Sequence, residues 1–233
     1  MKRVIIKSLL MILILPFFLF AQEVIYLEQN ITTSGMEMGQ PLDAITKSWI
    51  SEEKVRIEQP GQTMLLLFDE KKILTLLQKE KQYVEMSFEE MDQILNLSNM
   101  LMQASGSQEI VFNKTDQIKK INNRTAYQLT AKTETSSMEM WLSEEVKIDR
   151  SAMIKMYRKM PGMSALVSSM EKSMHYPGFP VLTKVELDVM GMEIKTSIEL
   201  IKAEKRKLEE DLFKVPDDFL QIENPLKMME EEN

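Results

Sequence analysis

The side chains that most often carry chemistry are scarce or scattered in this chain. Histidine occurs once, at His175, and cysteine not at all. That removes thiol catalysis, disulfides, thiolate metal sites and any lipid attached through cysteine. A serine hydrolase needs a base within reach of its nucleophile and a third group to orient that base. Ser168, Ser169 and Ser173 lie near His175, yet no Gly-x-Ser-x-Gly elbow occurs anywhere. The pairs Glu52-Glu53, Glu89-Glu90, Glu144-Glu145 and Asp217-Asp218 are adjacent residues. Neighbours on a strand point to opposite faces, and acids at helix starts favour the helix dipole, so solvated charge accounts for them. Neither a phosphate loop nor a dinucleotide fingerprint is present. Only a glycosidase built on two distant carboxylates would leave no local motif.

Methionine is the exception, with 21 copies. Met153, Met156, Met160, Met163, Met170 and Met174 recur at helical steps, Val167 filling the gap, and project onto one stripe interrupted by Pro161. The pairs Met36/Met38, Met138/Met140 and Met190/Met192 each put two thioethers on one strand face. Three readings stand. The side chains fill a flexible core; or they wall a malleable cavity for acyl chains or other greasy ligands, re-packing because they are unbranched; or they bind copper(I) or silver(I), soft cations that select thioethers. The only spot that combines thioethers with imidazole is Met170, Met174 and His175.

The elements that would position these residues follow a basic, apolar leader. Lys2, Arg3 and Lys7 precede an apolar run from Ser8 to Phe20 broken only by Pro16, and cleavage after Ala21 is expected. The run of about 13 residues is too short to span a bilayer, so residues 1–21 read as a signal peptide. Removing it leaves 26 basic against 36 acidic residues, a net charge of −10, where the full chain has −7. Such a balance repels nucleic-acid phosphates, and no nucleic-acid partner is expected. From Glu23 to Tyr83 short alternating segments at spacings of about ten residues, separated by turns such as Pro60-Gly61, predict an antiparallel meander. Ser87-Phe88-Glu89-Glu90 is a capping box that starts a helix expected over 88–104. A second β block runs from about Ile110 to Leu142, with a turn at Ile121-Asn122-Asn123-Arg124. Residues 149–174 read as helix, split or kinked at Pro161-Gly162. Two final strands meet at Gly191, and Glu230 to Asn233 is a polar tail.

Several of these pieces resemble a secreted bacterial domain family of unknown function. The likeness is carried by Trp49-Ile50-Ser51-Glu52-Glu53-Lys54-Val55-Arg56-Ile57-Glu58 and Tyr83-Val84-Glu85-Met86. It continues in Met140-Trp141-Leu142-Ser143-Glu144, Gly178-Phe179-Pro180-Val181 and the closing Asp211-Leu212-Phe213-Lys214-Val215-Pro216-Asp217-Asp218-Phe219. Such domains are related to the periplasmic lipoprotein carrier and its outer-membrane receptor (LolA/LolB-like). The resemblance implies an α+β fold, a curved antiparallel half-barrel whose concave face is covered by helices. The expected organisation is a signal peptide over 1–21, one half-barrel domain over 22–227 and an acidic tail over 228–233, with roughly nine to eleven strands. The expected function is a non-enzymatic periplasmic or secreted carrier, chaperone or sensor, needing no cofactor. Its partners would be an apolar ligand or an acylated protein, with transient contact to the envelope membrane. A soft-metal protein and a structural envelope protein without ligand are the alternatives. In the carrier reading Met153, Met156, Met160 and Met163, with Met91, Leu95 and Met102, line the ligand space from the helical side. Trp49, Phe68 and Trp141 face it from the sheet.

Overall fold

The computed structural model describes residues 22–35, 42–93, 95, 110–189 and 191–224. The leader, the acidic tail and Met102 lie outside them. Along the chain come β1 (Glu23–Ser34), β2 (Leu42–Ile50), β3 (Lys54–Gln59), β4 (Gln62–Leu67), β5 (Lys72–Leu77) and β6 (Gln82–Ser87). A helix, α1, is described at 88–93 and 95. Then follow β7 (Asn113–Ile121), β8 (Arg124–Lys132), β9 (Ser136–Ser143), α2 (Arg150–Lys159), α3 (Ser164–Ser173), β10 (Phe179–Val189), β11 (Met192–Lys207), a 3-10 turn (Glu210–Phe213) and β12 (Leu220–Ile222). The strands form one open sheet in the order β12-β6-β5-β4-β3-β2-β1-β11-β10-β9-β8-β7.

The sequence expectation of nine to eleven antiparallel strands needs correcting to twelve among the described residues, with β12 running parallel to β6. A three-residue strand is too short to show a period. What holds β12 in place is local: Leu220 N–H donates to the Lys81 carbonyl at 2.9 Å, and Lys81 pairs with Asp218 at 2.7 Å.

The turns form where the sequence places them. Asn122 and Asn123 both have positive φ, 46° and 63°, the pattern of a tight hairpin turn that asparagine tolerates. Ser51 Oγ accepts from the backbone N–H of Glu53 and Lys54, at 3.3 and 3.0 Å, and closes the β2–β3 turn. The capping box is made in both directions, Ser87 N–H to the Glu90 carboxylate at 2.6 Å and Glu90 N–H to Ser87 Oγ at 3.1 Å. Pro161-Gly162 divides the methionine stripe into α2 and α3, as expected.

The sheet bends sharply between β8 and β11. Asn122 and Arg124, at the end of the β7–β8 hairpin, donate to the Leu200 carbonyl at 3.0 and 3.3 Å, and Arg124 also to Ile201 at 3.0 Å. In a flat sheet these strands, separated by β9 and β10, would stand about 14 Å apart, beyond the reach of an asparagine side chain. Register shifts at Glu28/Gln29 and Pro180/Leu182 lie in this region, and bulges of this kind bend strands.

Alternation divides the core. Ile25, Leu27, Ile50, Val55, Leu66 and Ile73 share a buried cluster with Met156 of α2. Their strand neighbours face the other way: Val24, Tyr26 and Trp49 pack with Leu208 and Phe213, while Leu65, Leu74 and Leu76 pack with Val215 and Phe219. One covered face was the sequence expectation; the structure covers both over β1–β5. The second cover is the closing Leu212-Phe213-Lys214-Val215-Pro216 stretch, held by Arg56 donating to the Leu212 carbonyl at 2.6 Å and by the Lys54 ammonium 5.1 Å from the Phe213 ring centre.

Candidate functional site

The helices α2 and α3 are an excursion between β9 and β10, which pair with each other. Beneath them lies a cavity of about 250 Å³. Its floor comes from cross-strand partners. Met140 stands opposite Thr183, Met138 opposite Val185, and Thr183 in turn opposite Ile198 on β11, so their side chains share one face. Its roof is Met153 and Tyr157 of α2 with Met170 of α3, and Phe112 and Phe179 line it too. Four methionines from three elements therefore converge on one space. A second, larger cleft of about 930 Å³ opens at the α2–α3 break, but Lys71, Glu89, Asp92, Arg158, Lys159 and Glu171 line it. That cleft is open and bordered by charge, whereas the methionine cavity is only partly open and lined mainly by apolar side chains.

The cavity is also lined by the polar side chains of Gln29, Arg150, Tyr157, Ser169, Ser173 and Thr183. Arg150, the first residue of α2, is 6% exposed. Its Nη1 donates to the carbonyls of Ser173, Tyr176 and Gly178 at 3.4, 3.2 and 3.1 Å, and its Nη2 to Ser173 Oγ. Ser173 Oγ itself donates to the Met170 carbonyl at 2.7 Å. Burial pulls the Arg150 guanidinium below its ordinary value and pushes the Tyr157 phenol above its own. Asp149 caps α2 by accepting from the Ser151 hydroxyl at 2.6 Å and the Ser151 N–H at 2.8 Å, and those bonds lower its carboxyl.

The residues expected at a ligand site scatter around this space. Met153 lines it. Met156 is 3% exposed and sits in the core cluster, with Met160 and Met91 packed against that cluster. Met160 and Met163 border the charged cleft, and Leu95 lies against Gly162. Phe68 is core, edge-on to Phe88 with ring centres 5.9 Å apart. Trp49 faces the opposite side of the sheet, edge-on to Tyr26 at 5.1 Å, because Ile50, its strand neighbour, is the residue that points to the α2 side. Trp141 alternates with Met140 and does not line the cavity, but it is buried in the same core cluster as Met156 and Phe179; its indole N–H donates to Glu139 at 2.6 Å and Lys119 sits 3.9 Å from its ring centre. The sequence expectation did not place Met138, Met140, Met170, Tyr157 or Arg150 at the site. The Met-x-Met parity and the stripe carried a signal for the three methionines; nothing marked Arg150.

His175 is exposed, with its ring Nδ1 3.0 Å from the Lys172 carbonyl. Ser173 bonds elsewhere, so these two do not form a nucleophile–base pair. Met170 lines the cavity while Met174 is exposed. No cluster of three histidine, aspartate or glutamate side chains with metal-binding geometry occurs among the described residues. No helix among them is long and apolar enough to cross a membrane.

The fold is an antiparallel-rich open sheet with α2 and α3 over a partly open, largely apolar space. The profile of a family described as a domain of unknown function, DUF4412, matches residues 35–219, and the chain belongs to that family, as the resemblance in the sequence led us to expect. No curated protein matches it. Among solved structures it is similar to PNGF-II (12% identity, TM-score 0.37, 88% of this chain and 32% of that one). It is also similar to MucB in complex with MucA(peri) (10%, TM-score 0.38, 85% and 56%). A third is a putative outer membrane lipoprotein-sorting protein domain from Vibrio parahaemolyticus (12%, TM-score 0.34, 82% and 88%). The chain spans about a third of the length of PNGF-II.

Proposed function

We propose that the protein is a non-enzymatic carrier or chaperone that holds an apolar ligand, a lipid or the acyl chain of an acylated protein, beneath α2 and α3. The observation that carries this reading is the convergence of Met138, Met140, Met153 and Met170 on one largely apolar space. Thioether side chains on unbranched stems adapt to varied shapes. The cavity holds on the order of eight groups of water size, about 30 Å³ each, or a chain of about eight to ten carbons. At about 0.8 kcal/mol per methylene, that chain gains about 6 kcal/mol on leaving water, before the losses of association. Longer chains enter as the roof lifts, and Pro161-Gly162 is the break about which α2 and α3 can part. In this reading residues 1–21 direct export, 22–227 form one half-barrel domain with its concave face under the helices, and the protein works in the periplasm or outside the cell. Met91, Leu95, Met160 and Met163 then form the outer rim over which a longer chain passes.

Native mass spectrometry of protein purified from its own periplasm tests this. The expected result is a bound acyl species released on denaturation. A ligand-free mass, together with no uptake of a fluorescent fatty acid, would contradict the reading.

A further inference from the structure

Among the described residues, Arg150 is the only charged side chain lining the methionine cavity. Its four hydrogen bonds all go to neutral oxygens, those of Ser173, Tyr176 and Gly178. Among the described residues no carboxylate pairs with it, and its Nε–H has no acceptor. A buried cation without an anion is unfavourable, and carbonyl dipoles offset only part of that. The bonds to residues 173–178 tie the loop down; the positive charge of the guanidinium is left without a matching anion. The same side chain also borders an outer groove whose lining includes Glu144, Lys147 and Asp149 beside Val146, Ile148 and Met174, none of the carboxylates pairing with it, so it stands where the interior space meets the surface.

We propose that the ligand is a single acyl chain ending in a carboxylate, its chain among the methionines and its head on the free edge of the Arg150 guanidinium. One guanidinium matches one negative charge, and its planar fork matches a carboxylate. This rests on the carrier reading of the cavity and goes further by naming the chemistry of the head group.

The test compares decanoate with decanol, equal in chain and different in charge, by calorimetry on the full mature chain. Decanoate is expected to bind at least tenfold tighter. The ratio is expected to fall to about one in Arg150→Gln and to be partly kept in Arg150→Lys. Equal affinity of the wild-type protein for both probes would overturn the head-group assignment and leave the cavity reading intact; binding of neither would overturn both. A preference for decanoate that persists in Arg150→Gln also overturns the assignment, since the head then lies elsewhere. Should Arg150→Gln fail to fold, the Arg150 Nε–H resonance decides. Decanoate must shift it and decanol must not, and an unmoved resonance with decanoate bound overturns the proposal.

Discussion

Replacing Gly162 by alanine probes how the helices are assembled over the sheet. Gly162 has φ +69°, and a Cβ placed there would stand 2.5 Å from Leu95 Cδ1 and 2.8 Å from Leu95 Cβ. Two effects add. An L side chain in the left-handed region costs roughly 1–2 kcal/mol, and forcing Leu95 aside adds about 1–2 kcal/mol of overpacking. Gly61 supplies the control, with φ +79° and nothing within 4 Å of its Cβ position, so Gly61→Ala carries the first effect alone. For a domain of this size about 1 kcal/mol shifts the melting temperature by roughly 2–4 °C. Gly61→Ala is then expected to lower Tm by roughly 2–8 °C, and Gly162→Ala by about twice as much. Thermal unfolding followed by circular dichroism reads the difference. If Gly162→Ala is no worse than Gly61→Ala, α1 does not rest on the α2–α3 break and the described packing there is wrong.

Met156→Ala is expected to lose about 2–4 kcal/mol in urea unfolding, as a buried core residue does. Met153→Ala should lose far less stability yet weaken acyl-chain binding, which a displacement titration measures. Ser87→Ala removes half of the capping box and should cost about 1 kcal/mol, seen as a lower urea midpoint with an unchanged slope. The Trp141 indole N–H holds the Glu139 carboxyl below the ordinary glutamate range, with Lys184 and Lys119 adding to it against the opposing effect of burial. A depressed folded-state value means that Glu139 stabilises the fold above the unfolded-state glutamate value of about 4.5. That contribution is lost as pH falls through the lower folded value. The stability gap between wild type and Glu139→Gln should therefore close between pH 6 and pH 3 in unfolding titrations.

The hairpins, the capping box and the Pro161-Gly162 break were legible because each rests on local geometry that a few adjacent residues dictate. The second cover of the sheet also left a trace, since Met64-Leu65-Leu66-Leu67-Phe68 is a continuous apolar run, with Leu65 and Leu66 both fully buried. A strand buried on both faces reads that way rather than as alternation. The site was less legible. Which methionines meet depends on the β9–β10 pairing, which puts Met138 and Met140 opposite Val185 and Thr183 across some forty residues of chain. Helical phase alone could not separate Met153, which faces the cavity, from Met156, which faces the core. Trp49 was assigned to the ligand side without a register, and parity put it on the other face, with Leu208 and Phe213.

The most direct test of the central claim is a methyl NMR titration of [methyl-13C]methionine-labelled protein with decanoate, each resonance assigned by Met→Leu substitution. The methyls of Met138, Met140, Met153 and Met170 are expected to shift together and saturably, while those of Met174 and Met192, exposed on the surface, stay in place. Shifts confined to Met174, Met192 or other methyls outside the cavity, with those four unmoved, would contradict it.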